Sequence, residues 1–180
     1  MSKITEKLIK DCKKEGGKSQ KKLFEIMYSD LYKICYRYSN RKDQAEEYLQ
    51  IGFIKIFEKL KTYKFKGSFE GWCKRIVVNS CIDEMRKNKI IFLGGLEDVA
   101  DEFVEPIVPY ETIEEDKFTA EKILKAIQEL TPAYKTCFNL YVLDGYTHRE
   151  ISEKIKISIG ASKSNVHKAK QKIIKKLKIC

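Results

Sequence analysis

Between residues 45 and 60 the apolar side chains fall at intervals of three and four: Ala45, Tyr48, Leu49, Gly52, Phe53, Ile56, Phe57 and Leu60. That spacing follows the turn of an α-helix burying one face; a half-buried strand would need every second residue apolar. The period returns at Phe69, Trp72, Cys73, Ile76 and Val77, with Ser68 placed to cap the start of that helix. Leu23, Phe24, Met27, Leu31, Ile34, Cys35 and Tyr38 mark another before it. No strand-rich region and no long internal repeat interrupts this pattern, so the fold class is expected to be all-α.

Charge divides the chain. The formal net charge is +10, which favours an anionic partner, either nucleic acid or an anionic membrane surface. Between Phe92 and Asp116, however, nine acidic residues occur with no Lys or Arg, leaving +19 on the other 155 residues. The same stretch begins at Gly94-Gly95 and contains Pro106 and Pro109. It reads as an acidic, extended linker over 92–118 between two basic helical units, or as an acidic loop packed on one of them. As a linker its 27 residues would reach roughly 90 Å, more than twice the roughly 34–36 Å of one DNA turn.

Several classes fall away. No run of about 18 apolar residues is present, and the lysine-rich start MSKITEKLIKDCKKEGGKSQKK lacks the apolar stretch of a secretory signal. A cytoplasmic chain is expected. The cysteines at 12, 35, 73, 81, 137 and 180 include no CxxC pair, and the histidines are His148 and His167 alone. No metal site, no cofactor and no disulfide framework is expected from that arrangement. With 43% hydrophobic residues beneath 34% charged ones, a core can still be buried, so a wholly disordered chain is not expected.

The second half has helix-turn-helix punctuation. Thr131-Pro132 opens a helix running to about Leu143, and Asp144-Gly145 stops it. Thr147 and Glu150 have capping-box spacing ahead of a short helix that ends near Lys156, with Ile151 and Ile155 inward. Ile157-Ser158 makes the turn, and Ser158 can cap a last helix to about Leu177 with Val166, Ala169, Ile173 and Leu177 inward. From Lys154 to Cys180 there are nine lysines and no acidic residue, which suits phosphate contact. The small polar run Gly160-Ala161-Ser162-Lys163-Ser164-Asn165 suits close approach to a groove.

In the first half, Glu47, Ile51, Ile54 and Glu58 lie opposite the buried stripe of their helix. Two isoleucines between glutamates suggest a partner-binding face, or packing against a neighbouring helix of the same unit. Arg75, Asn79, Asp83 and Lys87 recur every four residues on the next helix, with Arg86 beside them. Tyr63, Phe65 and Phe69 interleave with Lys61, Lys64 and Lys66, rings and cations of the kind that single-stranded DNA requires. Those rings equally suit the core, where Trp72 is expected.

These segments resemble a known family. AEEYLQIGFIKIF (45–57) and FKGSFEGWCKRIVVNSCIDEMRKNK (65–89) look like region 2 of the extracytoplasmic-function (ECF) group of sigma-70 family sigma factors. AIQELTPAYKTCFNLYVLDGYTHREISEKIKISIGASKSNVHKAKQKI (126–173) resembles region 4 of that group. The resemblance implies region 2 over 1–91, the linker over 92–118 and region 4 over 119–180. It implies a bacterial transcription initiation factor that is no enzyme and uses no cofactor.

Further roles follow from the resemblance. Glu47, Gln50, Ile51, Ile54 and Glu58 would bind the clamp helices of the polymerase β′ subunit. Tyr63, Lys64, Phe65, Lys66, Arg75, Asn79 and Arg86 would melt the −10 element and capture a non-template base. Ala161, Lys163, Ser164, Asn165, His167 and Lys168 would read the −35 element, and the same region would touch the β-subunit flap. Family members are commonly held by an anti-sigma factor. Glu47 stands where the family often has Asp, Ser162 where many members have Val, Asn165 where many have Arg, and Cys73 where Leu is usual. The competing class is an ordinary DNA-binding regulator whose first half senses or dimerises; it need not bind core polymerase through 45–58. A nucleic-acid enzyme is the third class, and no paired-carboxylate metal site, nucleophile constellation or phosphate loop supports it.

Overall fold

The computed structural model describes residues 4–14, 17–88 and 120–179, and among these the chain forms eight α-helices and no strand. The all-α expectation holds for them. The chain divides into two compact units, Met1–Glu84 and Met85–Cys180. The acidic segment 92–118, and with it the boundaries expected at 91 and 119, lies outside the described residues.

The first unit begins with a helix the periodicity did not announce, α1 (Glu6–Lys13), whose N-cap Thr5 accepts a hydrogen bond from the Leu8 amide at 3.2 Å. Leu8, Ile9 and Cys12 anchor it in the core. The long α2 (Gly17–Tyr38) buries Leu23, Met27, Leu31, Ile34, Cys35 and Tyr38 and packs along α3 (Lys42–Lys59). Ala45, Tyr48, Leu49, Gly52, Phe53 and Ile56 are buried on α3 as the spacing requires, and Leu60 continues the stripe into a short 3-10 turn, Leu60–Thr62. Gly52 is used for its smallness, because a Cβ there would lie 3.0 Å from Val77 Cγ2 on α4 (Phe69–Lys87). Ser68 caps α4 as expected, accepting from the Gly71 amide at 3.2 Å. Trp72 differs from expectation: it is half-buried, while Tyr63 and Phe69 take the buried positions in the same ring cluster.

In the second unit, α5 (Ala120–Gln128) and α6 (Pro132–Phe138) enclose a core of Ala126, Ile127, Leu130, Tyr134, Phe138, Ala169 and Ile173, with Leu177 packed against it. Pro132 opens α6, and the Thr131 side chain makes no capping hydrogen bond. Proline at the first position leaves one fewer unpaired amide at the helix start and presets φ for the first turn. Beyond Phe138 the helix widens into a π-turn, Asn139–Leu143, closed by the Asp144 amide on the Asn139 carbonyl at 2.9 Å. Gly145 follows at φ +73°, where glycine suits the exit.

The helix-turn-helix then forms as read. Thr147 and Glu150 make both bonds of the capping box at the start of α7 (His148–Ile155). Ser158 accepts from the Ala161 amide at 3.0 Å to cap α8 (Ile159–Ile179). The turn between them runs through Lys156 at φ +60°, an unfavourable conformation for a side-chain-bearing residue, tied down by the Ser152 hydroxyl on the Ile157 carbonyl at 2.6 Å. Cys12, Cys35, Cys73, Cys81 and Cys137 are free and buried, as packing residues would be.

Candidate nucleic-acid and polymerase interfaces

On α8, Ser162, Val166, Ala169 and Ile173 are buried, which fixes the outward face of the helix. At about 100° per residue, Ser164, His167 and Lys168 lie nearest the outward direction, with Lys163 on one flank and Ala161 and Asn165 on the other. Lys163 and His167 are exposed, and the His167 ring nitrogen lies 2.9 Å from Gln171 Nε2 one turn on. Asn165 is half-buried and turned inward, with Nδ2 3.6 Å from Cys137 Sγ on α6. Lys163, Ser164, His167 and Lys168 thus share the outward side, Ala161 is half-buried beside them, and Asn165 alone of the six −35 candidates turns inward.

Behind that face sits a contact absent from the sequence reading. His148, first residue of α7, places Nδ1 3.0 Å from the buried Ser162 hydroxyl on α8. Its ring stacks on Tyr141 of the π-turn with centroids 4.2 Å apart, and Lys170 approaches the same tyrosine ring at 6.0 Å. One imidazole thus ties together the three elements that orient the outward helix. No spacing rule marks it, since its partners are 7 and 14 positions away.

Burial, then the charges of Lys163 and Lys170, hold the His148 pKa below the ordinary histidine value. The unfolded imidazole therefore takes up its proton first as pH falls, near 6.5, and the folded one only below that. The stabilising contribution of the neutral ring is complete above the unfolded pKa and declines as pH drops through the window beneath it. His148→Gln is expected to reduce the fall in melting temperature of the helix-turn-helix unit between pH 7.5 and 5, read by circular dichroism. An unaltered pH profile would assign that acid sensitivity to other groups.

Along the loop before α4 and along α4 itself the −10 candidates separate by burial. Tyr63 is only 6% exposed, its hydroxyl donates to the Gly67 carbonyl at 2.8 Å, and its ring contacts Phe65, Phe69 and Trp72 at 5.2, 5.1 and 5.2 Å. It closes the loop from inside, packed among these rings. Phe65 is half-buried at φ +56°, between exposed Lys64 and Lys66. On α4, Arg75, Asn79 and Arg86 fall within about 40° of one another by helical geometry. Arg75 and Arg86 are exposed and Asn79 is half-buried. Asp83 flanks that strip and pairs with Lys55 of α3 at 3.2 Å.

The remaining candidates share one face of α3. Glu47, Gln50 and Glu58 are exposed and Ile51 is half-buried. Ile54 is 58% exposed, the most open of the large apolar residues on the described surface. Packing against a neighbouring helix of the same unit does not account for it. The opposite side of this helix is fully built into the core, so the apolar patch lies on rigid backbone.

The fold and these faces define a DNA-binding protein with a helix-turn-helix in one helical unit and an exposed apolar patch in the other. Comparison with known families is specific. Sigma-70 region 2 matches residues 23–90, and sigma-70 region 4 matches residues 120–173. The ECF RNA polymerase sigma factor SigW of Bacillus subtilis (strain 168) is 26% identical over 185 residues, covering 99% of each chain. The ECF RNA polymerase sigma factor SigE of Mycolicibacterium smegmatis is 27% identical over 143 residues, which are 79% of this chain and 55% of that one. Among solved structures, the sigma factor RpoE of Bartonella quintana, crystallised with the anti-sigma factor NepR, superposes with a TM-score of 0.50 at 19% identity. That superposition covers 88% of this chain and 96% of the other, and it supports the fold.

The chain belongs to the sigma-70 family. Within it, the chain is an ECF-type RNA polymerase sigma factor, a transcription initiation factor. Among the described residues, no helix is long and apolar enough to cross a membrane.

Proposed function

We propose that the chain docks on core polymerase through Glu47, Gln50, Ile51, Ile54 and Glu58, captures melted −10 DNA in the first unit and reads −35 duplex DNA with the outward face of α8. The observation that carries this reading is Ile54, a large apolar side chain standing in solvent on a helix whose opposite face is committed to the core. In this reading residues 1–91 act as region 2, 92–118 as an acidic linker and 119–180 as region 4. The factor works in the cytoplasm and performs no bond chemistry of its own. Strand opening needs none: holding unstacked bases offsets the few kcal/mol that unstacking costs. On the loop, Phe65 is the ring and Lys64 and Lys66 are the cations, with Arg75, Asn79 and Arg86 extending the strip along α4.

On duplex DNA, Lys163 is the phosphate contact, because it is exposed on the face shared with Ser164 and His167. Lys163→Ala should weaken binding about uniformly across sequences and lower the slope of log affinity against log salt by about 0.9. Fluorescence anisotropy of duplex fragments over a salt series checks this, and an unchanged slope removes Lys163 from the interface. The Bartonella quintana relative is bound by an anti-sigma factor. A partner of that kind would act on this chain by covering the Ile51 and Ile54 face or the face of α8.

A further inference from the structure

We propose that α1, which precedes the matched region 2 segment, belongs to the strand-capturing site, and that Lys13 is the residue positioning its loop. The inference rests on the −10 reading above but names residues outside it, since the match begins at residue 23. Lys13 Nζ donates to the Tyr63 carbonyl at 2.6 Å, a contact across fifty residues of sequence. The same ammonium lies 4.5 Å from the Phe65 ring centroid and 6.0 Å from that of Tyr63. Lys10, one turn earlier, lies 5.6 Å from the Phe65 ring and also pairs with Glu6 at 3.5 Å.

The loop needs such a fastening. Phe65 sits at φ +56°, a region that bulky residues avoid, and Gly67 follows at φ +78°. Tyr63 brackets the segment twice: its carbonyl receives Lys13 and its hydroxyl reaches the Gly67 carbonyl at 2.8 Å. Lys13 also brings positive charge to the ring most exposed in the loop. A ring with cations at its face is the arrangement that holds single-stranded nucleic acid, the base on the aromatic side and the phosphate on the ammonium. Lys13 therefore does two things with one group. It keeps Phe65 in its strained conformation and supplies a phosphate contact beside it.

Trp72, the single tryptophan of the chain, reports on this site because its ring lies 5.2 Å from Tyr63. The test is a titration of the full-length protein with a random-sequence single-stranded DNA of about 20 nucleotides, read by Trp72 emission over a salt series. Lys13→Met is expected to weaken binding at least about tenfold and to lower the salt slope by about 0.7. Lys13→Arg, which keeps a donor and a cation over the ring, should stay within about threefold of wild type. Lys14→Met, an equal charge loss at the neighbouring exposed position, should stay within about twofold. Equal losses for Lys13→Met and Lys14→Met would reduce the effect to net charge and overturn the proposal. So would a Lys13→Arg chain as weak as Lys13→Met, with melting curves establishing that both are folded. Wild-type protein that binds no single strand would overturn the −10 reading itself; wild-type binding that ignores Lys13 would overturn only the role of α1.

Discussion

Ile54→Glu should lower the affinity of the chain for core RNA polymerase at least about a hundredfold, equivalent to about 2.7 kcal/mol, while its melting temperature stays near that of wild type. The two halves of that expectation have one cause. Ile54 is 58% exposed, so the free protein loses almost no packing when it is replaced. At the centre of a docked surface the same side chain would be desolvated, and a carboxylate in its place would be buried without a partner. Glu58 stands one turn away on the same face, so the new charge also meets like charge. Ile51→Glu should act in the same direction, but Ile51 is half-buried and its replacement would also disturb packing. Ile54 is therefore the cleaner probe. Retained affinity in a folded Ile54→Glu protein would remove the patch from the polymerase contact.

Ile151→Ala should destabilise the helix-turn-helix unit by about 2–5 kcal/mol, because a fully buried isoleucine leaves both lost transfer energy and a cavity. The described residues 120–179 of that unit, 60 in all, are worth only about 3–9 kcal/mol in total, so much of its population would unfold at growth temperature. Duplex DNA binding should then fall steeply, with loss of part of the helical signal at lower temperature. Core-polymerase binding through the exposed face of α3 should persist, since Ile151 belongs to the second unit. Loss of both activities together would mean that the two units do not divide the work as proposed.

What was legible in the sequence was what is local or periodic. The stripe from Ala45 to Leu60 is buried as its spacing required, with Phe57 half-buried at its edge. The capping box of Thr147 and Glu150 and the cap at Ser158 formed because each bond spans only three residues. α1 escaped because three of its eight residues are lysine and two turns are too few to display a period. The π-turn at Asn139–Leu143 escaped because one widened turn leaves the hydrophobic pattern almost unshifted. Lys156 takes a left-handed conformation where a glycine would have announced the turn.

The candidate faces were legible to the same extent. Ile54 stands out because it violates the pattern of its own helix. Tyr63 read either way, since aromatics between lysines suit stacking or the core, and only the three-dimensional loop brings its hydroxyl to the Gly67 carbonyl. Asn165 lies along the reading helix yet turns toward Cys137, a partner 28 residues away. His148 and Lys13 were missed for one reason: each works through partners that are distant in sequence and unremarkable alone.

The central claim is that this chain gives core RNA polymerase a promoter preference. Transcription reconstituted from purified bacterial core polymerase, the full-length protein and a library of genomic fragments from its source tests that claim most directly. The expected result is a limited set of discrete start sites that appear only when the protein is added and disappear with Ile54→Glu. Folded wild-type protein that leaves core polymerase without any specific start across that library would contradict it.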